Sequence, residues 1–269
     1  MAAVAELVVS RSPVKPPLKW AGGKRWLAPY LARLWNLHRS QRFVEPLCGG
    51  LGMALGLAPK QALLNDINPH AINFYRWLKH GLRISLKMRN DKAYFYSRRA
   101  RFNDLVHEGK ADGKEAASLF YYLNRTCYNG LCRFNRRGQF NVPFGRYKKI
   151  SYKRDFAEYV AAFDGWEFTC CDFEDVPLKP GDFIYADPPY DVDFTQYAKE
   201  AFHWGDQARL AKWLARHPGP VVLSNQATDR IISLYGELGF ALTVVNAPRL
   251  ISCTGDRTPA REVLATRNL

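Results

Sequence analysis

An acidic residue directly follows a predicted apolar strand in the run Asp187-Pro188-Pro189-Tyr190. The strand covers residues 182–186, and open α/β sheets bind ligands at the carboxyl ends of such strands. The prolines fix the backbone and remove two N–H donors, so the local carbonyls can only accept hydrogen bonds. A carboxylate, an accepting carbonyl and an aromatic face together suit a flat group that carries an exocyclic amino group.

Adenine carries such a group, but its amino nitrogen is a poor nucleophile because the lone pair is delocalised into the ring. If Asp187 and the carbonyl of Pro188 accepted both hydrogens while Tyr190 stacked on the base, the lone pair would shift towards the nitrogen. A base in a duplex must leave the stack to be reached in this way. The alternative is a proline-rich loop in which Asp187 only caps the local backbone.

A second group of candidate residues follows the predicted strand at residues 42–45. Glycines at positions 49, 50 and 52 would let a ligand approach the backbone at a helix N-terminus, although they do not form a GxGxxG run. Asp66, at the end of the next predicted strand, is placed to hold ribose hydroxyls. As an isolated pattern, the run DINP at residues 66–69 is more often a helix N-cap.

Two further pairs of residues could contribute to a ligand site. Trp20 and Lys24 lie in the run KWAGGK, which suits either a ligand lid or an ordinary basic turn before a helix. Asp172 and Phe173 follow a predicted strand at residues 166–170. There the carboxylate could accept a hydrogen bond from an adenine amino group, and the ring could stack on the base.

Residues 119–154 contain nine lysine and arginine residues and no acidic residue, with aromatic residues interleaved. Cationic groups track phosphates and aromatic rings stack on or wedge between bases, so we predict that this segment contacts nucleic acid. The alternative is a solvated basic face whose aromatic residues form a core of their own. The cations are Arg125, Arg133, Arg136, Arg137, Arg146, Lys148, Lys149, Lys153 and Arg154, and the aromatic residues include Tyr121, Tyr122, Tyr128, Phe134, Phe140, Phe144, Tyr147 and Tyr152.

The chain as a whole is basic, with 39 lysine and arginine residues against 25 acidic residues in 269 and a net charge of +14. This excess indicates a polyanionic partner, first nucleic acid and second an anionic membrane surface. Hydrophobic residues make up 47% and charged residues 24%, which is typical of a globular protein. No apolar run reaches the roughly 18 residues of a membrane-spanning helix, and the N-terminus lacks the order of a signal peptide. We therefore expect a cytoplasmic protein with no membrane partner.

Cysteine and histidine positions do not suggest a metal site. The six cysteines include no CxxC pair, which favours reduced thiols over a disulfide framework or a zinc site. The six histidines show no metal-ligand spacing either. We expect no bound metal.

Predicted strands alternate with helices over most of the chain, which indicates an α/β fold with a mostly parallel, helix-covered sheet. The strands fall at residues 42–45, 62–66, 166–170, 182–186, 220–224, 240–245 and 262–266. The alternation breaks between about residues 82 and 151, where a basic helical stretch leads into a hairpin that turns at Arg137-Gly138. We predict a flexible arm at residues 1–17, a catalytic, cofactor-binding domain at 18–80 and 151–269, and an inserted target-recognition domain at 81–150.

These motifs recur in the same order in the DNA adenine methylase (Dam) family, which the chain resembles from about residue 18 to residue 267. The shared runs are KWAGGK (19–24), FVEP (43–46), NDIN (65–68), NRTCYNGL (124–131), RFN (133–135), GQFNVPFGRYK (138–148), DPPY (187–190), SN (224–225) and RLISCTG (249–255) with Arg257 and Glu262. The resemblance implies a class I, Rossmann-like S-adenosylmethionine-dependent methyltransferase sheet with an inserted helical and β-hairpin DNA-recognition domain. It also implies direct methyl transfer from S-adenosylmethionine to N6 of a flipped adenine in double-stranded DNA. The product would be S-adenosylhomocysteine, and the enzyme would act as a monomer in a bacterial or phage-infected cell.

The resemblance also implies roles for individual residues and a GATC recognition site. Tyr128 and Asn129 resemble the residues that enter the duplex where the adenine leaves. The glycine loop departs from the family pattern Phe-x-Gly-x-Gly, because this chain has LCGGLG at residues 47–52. Implied catalytic residues are Asp187, Pro188 and Tyr190; implied cofactor contacts are Trp20, Lys24, Glu45, Gly49, Asp66, Asp172, Phe173 and Asp187; implied DNA contacts are Lys19, Arg125, Tyr128, Asn129, Leu131, Arg133, Asn141, Pro143, Arg146, Tyr147 and Lys148.

Three alternative functions fit the residues less well. A non-catalytic DNA-binding protein would keep the basic insert but would have no need for the DPPY run, Asp66 or Asp172. Methylation of RNA or of a protein glutamine would leave the hairpin at residues 128–148 without a role. A nicotinamide-dependent oxidoreductase would need a GxGxxG run and a hydride-transfer partner, and the sequence offers neither.

Overall fold

The computed structural model describes residues 14–190, 202–247 and 260–269. Residues 1–13 of the predicted arm and the run RLISCTG with Arg257 lie outside the described residues. All seven predicted strands are found, each end within two residues of its predicted position. The elements are α1 (Ala28–Asn36), β1 (Phe43–Glu45), α2 (Gly52–Leu57), β2 (Ala62–Asn65), α3 (Pro69–Lys79), α4 (Lys92–His107), α5 (Lys114–Thr126), α6 (Ala157–Ala162), β3 (Trp166–Thr169), β4 (Phe183–Ala186), α7 (Trp204–Ala215), β5 (Val221–Gln226), α8 (Asp229–Glu237), β6 (Ala241–Ala247) and β7 (Ala260–Arg267).

The strands form one sheet in the order β3-β2-β1-β4-β5-β7-β6. Strands β1 to β5 pair in parallel, and β7 runs antiparallel between β5 and β6. This confirms the predicted mostly parallel α/β sheet. Phe43 of β1 pairs with Ala62 of β2 on one side and with Phe183 of β4 on the other. The loops that follow β1, β2 and β4 therefore leave the same edge of the sheet and diverge there. Open α/β sheets bind ligands at such a point of divergence.

The central strands are buried on both faces because helices cover the sheet on both sides. Every residue of β1, β2 and β4 is buried. Phe43 and Phe183 point into the core shared with α1, α2 and α3, whereas Val44 and Ile184 point into the core under α7 and α8. The alternation follows from the two-residue period of a strand.

Helix α3 begins where the sequence allowed a cap. The side chain of Asn68 accepts hydrogen bonds from the backbone N–H groups of His70 and Ala71, and Pro69 occupies the first turn. Within the DINP run, Asn68 is therefore the N-cap of α3. Asp66 is not the cap and can take another role.

The insert packs against the sheet domain. Helix α5 lies on α3, and the buried rings of Phe95, Phe102 and Phe120 belong to the same core as Phe43. The predicted turn is present: the N–H of Gly138 donates to the carbonyl of Asn135 at 2.9 Å, and Gly138 has a φ of +72°. Isolated antiparallel bridges pair residue 134 with residue 140 and residue 127 with residue 144 on either side of this turn. The boundaries of the two domains stay a prediction.

Some features are absent from the described parts of the chain. No helix there is long and apolar enough to cross a membrane. Within the same ranges, no group of three or more His, Cys, Asp or Glu side chains could hold a metal ion. The described cysteines at positions 48, 127, 132, 170 and 171 are free thiols.

Candidate active site

A cavity of about 910 Å³ opens beside the carboxyl ends of β1, β2 and β4. It lies at the edge of the sheet where the loops after these strands diverge. The structure therefore brings together, from five separate stretches of sequence, all ten residues predicted for catalysis and cofactor contact. These lining residues are Trp20, Lys24, Glu45, Gly49, Asp66, Asp172, Phe173, Asp187, Pro188 and Tyr190.

The glycine loop after β1 is packed tightly against Trp20. Gly49 has a φ of +44°, and a Cβ atom added there would lie 2.7 Å from Nε1 of Trp20. The carbonyl of Gly49 accepts a hydrogen bond of 2.6 Å from the hydroxyl of Tyr75. Only a residue without a side chain both adopts this backbone conformation freely and lets the indole approach the loop.

Leu51 occupies the position of the second glycine in the family pattern. Its backbone is left-handed, with φ 61° and ψ 26°, a conformation that costs a non-glycine residue about 1–2 kcal/mol. Its side chain is fully buried in the main core. Burial of the leucine offsets the backbone strain, so the loop keeps the glycine-like turn despite the different residue.

Asp66 holds the glycine loop as well as lining the cavity. One carboxylate oxygen accepts from the N–H of Gly49 at 2.8 Å and the other from the N–H of Asn68 at 2.9 Å. Burial raises the pKa of Asp66, and these two N–H groups partly oppose the shift. Each carboxylate oxygen has more than one lone pair, so Asp66 can still accept from ligand hydroxyls.

Asp172 is paired with an arginine at the cavity. Arg209 of α7 contacts its carboxylate at 2.8 Å and also lies over the ring of Phe173, with Cζ 4.4 Å from the centroid. Partial burial disfavours the charged form of Asp172, but the N–H of Glu174 and the guanidinium of Arg209 outweigh it and hold the pKa below its usual value. The carboxylate that was expected to accept from an adenine amino group already accepts from this arginine.

Asp187 is paired with a buried lysine. Nζ of Lys24 lies 2.8 Å from Oδ1 of Asp187, and the hydroxyl of Ser224 donates to the same oxygen at 3.1 Å. Burial raises the pKa of Asp187; Lys24 and Ser224 act against this shift, whereas the nearby carboxylate of Glu262 adds to it. The ammonium and hydroxyl thus favour the ionised form of Asp187, which burial disfavours.

Glu45 is a second buried acid in the cavity. Its side chain is 3% exposed, and burial raises its pKa well above the usual range for a glutamate. Proximity to Asp187 raises it further, while the backbone N–H of Ala54 lowers it. Among the described residues, Oε2 of Glu45 has no hydrogen-bond partner.

Three elements hold the loop that carries the prolines. The amide of Gln207 in α7 donates to the carbonyl of Pro189 at 2.7 Å, and Asn225 of β5 donates to the Gln207 amide oxygen at 3.0 Å. The hydroxyl of Tyr190 donates to Oε1 of Glu262 in β7. The carbonyl of Pro189 and the aromatic ring of Tyr190 are therefore fixed from outside the loop itself.

The insert presents apolar and basic side chains to solvent. Tyr128 is 52% exposed and Leu131 is 36% exposed, and the two lie three residues apart on the same turn. Asn129 is also exposed and has a φ of +52°, so the two residues predicted to enter the duplex lie at the tip of a tight turn. The side chains of Arg133, Pro143, Arg146 and Lys148 are exposed as well, and Asn141 accepts a hydrogen bond from Arg133 at 2.8 Å.

Lys19 links this surface to the cavity. Its ammonium lies 3.8 Å from the ring centroid of Tyr147 and donates to the carbonyl of Arg125 at 3.3 Å. Burial and the charge of Arg125 lower the pKa of Lys19. The side chain of Asn124 bonds the backbone N–H and carbonyl of Lys19, both at 2.8 Å, and the carbonyl of Gly130 at 3.3 Å. Asn124 therefore ties the segment leading to Trp20 to the exposed turn.

Several aromatic residues of the basic segment belong to the core. Tyr121, Tyr122 and Phe140 are buried and pack with the rings of α3 and α4. The hydroxyl of Tyr121 accepts from the N–H of Lys153 at 2.7 Å. For these rings the alternative interpretation, a core of aromatic residues beneath a basic face, is right.

Residues 20–250 match the family described as D12 class N6 adenine-specific DNA methyltransferase. The chain belongs to this family. Its strand order, with one antiparallel strand inserted beside β5, is that of the class I Rossmann-like methyltransferase sheet, so the fold expected from the resemblance is confirmed.

Curated relatives agree with this membership. The chain is 35% identical to the DNA adenine methylase of Vibrio cholerae, over 92% of this chain and 94% of that protein. It is 33% identical to a type II methyltransferase of Methanocaldococcus jannaschii, over 91% of this chain and 95% of that protein. It is 35% identical to the DNA N-6-adenine-methyltransferase of Escherichia phage P1 over 91% of this chain, which spans only 34% of that longer protein.

A solved tRNA (m1A58) methyltransferase, TrmI from Aquifex aeolicus, aligns with 89% of this chain and 67% of that one at 12% identity and a TM-score of 0.33.

The sequence analysis assigned no role to several residues that contact the active site of this adenine-specific DNA methyltransferase. Arg209 and Gln207 lie on α7, in a helix whose pattern indicates only a packed amphipathic face. Glu262 and Asn124 lie inside shared runs, but nothing in their spacing indicates a partner. Each makes its contact across more than 15 residues of chain, and sequence spacing does not report such pairs.

Proposed function

We propose that this enzyme transfers the methyl group of S-adenosylmethionine to N6 of an adenine that has left a DNA duplex. The observation that carries the proposal is the meeting of Asp187, Asp66 and the glycine loop in one cavity. The residues fit the cofactor: Asp66 can accept from hydroxyls, Phe173 offers an aromatic ring, and Trp20 and the glycine loop line the same cavity. When bound, the cofactor supplies an electrophilic methyl group on a sulfonium ion.

In this proposal the DPPY residues activate the amino group. Lys24 and Ser224 both contact Oδ1 of Asp187, so Oδ2 accepts one N6 hydrogen and the carbonyl of Pro188 accepts the other. Tyr190 stacks on the flipped base. Accepting both hydrogens concentrates the lone pair on N6. N6 would then attack the methyl carbon directly, without a covalent enzyme intermediate, as the bond from that carbon to sulfur breaks, and one N6 proton would be lost to solvent by way of the Asp187 carboxylate. S-adenosylhomocysteine is the expected product.

The exposed turn of the insert supports a role in opening the duplex. We propose that Tyr128 and Asn129 occupy the space that the flipped adenine leaves, because side chains at an exposed turn can wedge between bases. The residues proposed to contact a GATC site are Lys19, Arg125, Leu131, Arg133, Asn141, Pro143, Arg146, Tyr147 and Lys148. The enzyme is proposed to act as a monomer.

The test uses tritium-labelled S-adenosylmethionine and two short duplexes. One duplex contains GATC, and in the other the adenine of that site is N6-methyladenine. Asp187→Asn serves as the matched variant, because it keeps the shape of the side chain and removes the charge. We expect label to enter only the unmodified duplex, and only with the wild-type protein.

Two other outcomes would change the conclusion. Transfer to a different unmodified duplex would keep the reaction and replace the GATC site. Absence of transfer to any duplex, with tight and salt-sensitive DNA binding by both proteins, would contradict the methyltransferase activity and favour a non-catalytic DNA-binding protein.

A further inference from the structure

In the wall of the cavity, one buried ammonium faces a buried carboxylate, that of Glu262, and a partly exposed one, that of Asp187. Nζ of Lys24 lies 2.8 Å from Oδ1 of Asp187 and 2.9 Å from Oε2 of Glu262. Lys24 is 4% exposed and Glu262 is 2% exposed. The attraction between opposite charges is larger where less water screens them. With Asp187 as its only partner, Lys24 would therefore hold that carboxylate more firmly than it does when Glu262 is also in contact.

Glu262 contacts the two side chains that flank Asp187. Its Oε2 contacts Lys24, and its Oε1 accepts the hydrogen bond from the hydroxyl of Tyr190. Lys24 also lies 4.9 Å from the centroid of the Tyr190 ring. Glu262 comes from β7, where it pairs with Gln226 of β5 and Val245 of β6, so the sheet itself fixes its position.

We propose that Glu262 is a positioning residue for the transfer: it shares Lys24 with Asp187 and fixes the ring of Tyr190. By dividing the attraction of Lys24 between two carboxylates, Glu262 leaves Asp187 ionised but free to accept the hydrogen of an incoming amino group. Its bond to the Tyr190 hydroxyl sets the angle at which the ring meets the base. This inference rests on the proposed function of Asp187 and Tyr190.

Among the described residues, five side chains from five different segments influence the pKa of Asp187 or are influenced by its charge. They are Lys24 before α1, Glu45 of β1, Tyr185 of β4, Ser224 of β5 and Glu262 of β7. Burial raises the pKa of both Glu45 and Tyr185, which favours their neutral forms. Lys24 and Glu262 are then the charged neighbours, and Glu262 acts to raise the pKa of Asp187.

A titration without cofactor or DNA tests the charge relation directly. Aspartate carboxyl carbons are labelled with ¹³C, and the Asp187 resonance is assigned by its loss in Asp187→Asn. We expect its midpoint to fall in Glu262→Gln, because a repelling carboxylate is removed. In the control, Ser224→Ala, the midpoint should rise, because a hydrogen bond to the ionised form is removed. An unchanged midpoint in Glu262→Gln would overturn the charge relation.

Single-turnover methylation over a range of pH tests the functional consequence. The glutamine in Glu262→Gln can still accept a hydrogen bond from Tyr190, so the effect of this variant reports the loss of the negative charge at position 262. We expect a rate about 10- to 100-fold lower, which is the scale of a perturbed hydrogen bond to a charged group. The acid limb of the profile should move to lower pH together with the Asp187 midpoint. In Glu262→Asp, which keeps the charge, the limb should stay at the wild-type position.

Outcomes other than these decide against the inference. A wild-type rate in Glu262→Gln, or an equal slowing at every pH without movement of the acid limb, would make Glu262 merely structural. Circular dichroism, thermal melting and S-adenosylhomocysteine binding by calorimetry check that each variant is folded. If the wild-type protein transfers no methyl group, the proposed function fails, whereas the Asp187 titration still tests the charge relation separately.

Discussion

Replacing Gly49 with alanine tests how closely Trp20 is packed on the glycine loop. Two costs add at this position. An alanine at φ +44° costs about 1–2 kcal/mol of backbone strain. Its Cβ would also lie 2.7 Å from Nε1 and 3.2 Å from Cδ1 of Trp20, an overlap of the kind that costs about 1–3 kcal/mol. We expect Gly49→Ala to lower the free energy of unfolding by about 2–5 kcal/mol, the sum of these two costs.

A double-mutant cycle separates the two costs. The three atoms nearest to the added Cβ are ring atoms of Trp20, so Trp20→Ala removes these contacts and leaves the strain. In the Trp20→Ala background, Gly49→Ala should therefore cost only about 1–2 kcal/mol. The difference between the two backgrounds is the coupling energy of the contact. Gly52→Ala is the matched control, because a Cβ there meets nothing within 4 Å and should cost little or nothing.

Urea unfolding, followed by circular dichroism, measures the free energy of unfolding of each variant. The reasoning would be refuted if Gly49→Ala cost the same with and without the Trp20 side chain, since the indole would then not lie on the loop. A large cost for Gly52→Ala would show that the whole loop resists any side chain, again contrary to the contacts described.

Three further predictions concern other parts of the molecule. Asn124→Ala removes three hydrogen bonds to backbone groups of Lys19 and Gly130. We expect this change to lower the free energy of unfolding by about 2–4 kcal/mol, measured by urea unfolding. It should also weaken DNA binding, measured by fluorescence anisotropy. Arg146→Ala removes an exposed cation of the insert and should reduce the slope of log affinity against log salt by about 0.9, whereas Arg83→Ala, outside that surface, should leave the slope unchanged. The raised pKa of Glu45 means that its contribution to stability is full below about pH 4.5 and declines as pH rises towards the folded-state pKa. Glu45→Gln cannot ionise, so its stability relative to wild type should increase from pH 4.5 to pH 8 in thermal melts; a constant difference would contradict a buried, neutral Glu45.

The order of strands and helices, the glycine loop and the residues that meet at the cavity could be predicted from the sequence. Strands buried on both faces, such as β1, β2 and β4, have continuous apolar runs, and their ends are marked by Asp66 and Asp187. The carboxyl ends of parallel neighbours necessarily lie at one edge, so residues distant in sequence converge there once the strands are assigned. These patterns are local and periodic, which is why composition and spacing report them.

The partners of those residues were decided by the tertiary structure. Arg209 reaches Asp172, Gln207 reaches Pro189, and Glu262 reaches both Lys24 and Tyr190 only because α7 and β7 pack beside the cavity. The sequence predicted an inserted domain, with the alternative that its aromatic residues form a core of their own. In the structure, Phe120 of the insert lies in the same core as Phe43 of β1. The position of a charged or aromatic residue in the sequence does not indicate which distant part of the chain packs against it. Packing selects that surface, and packing therefore set the pKa of Asp187 and the partner of Asp172.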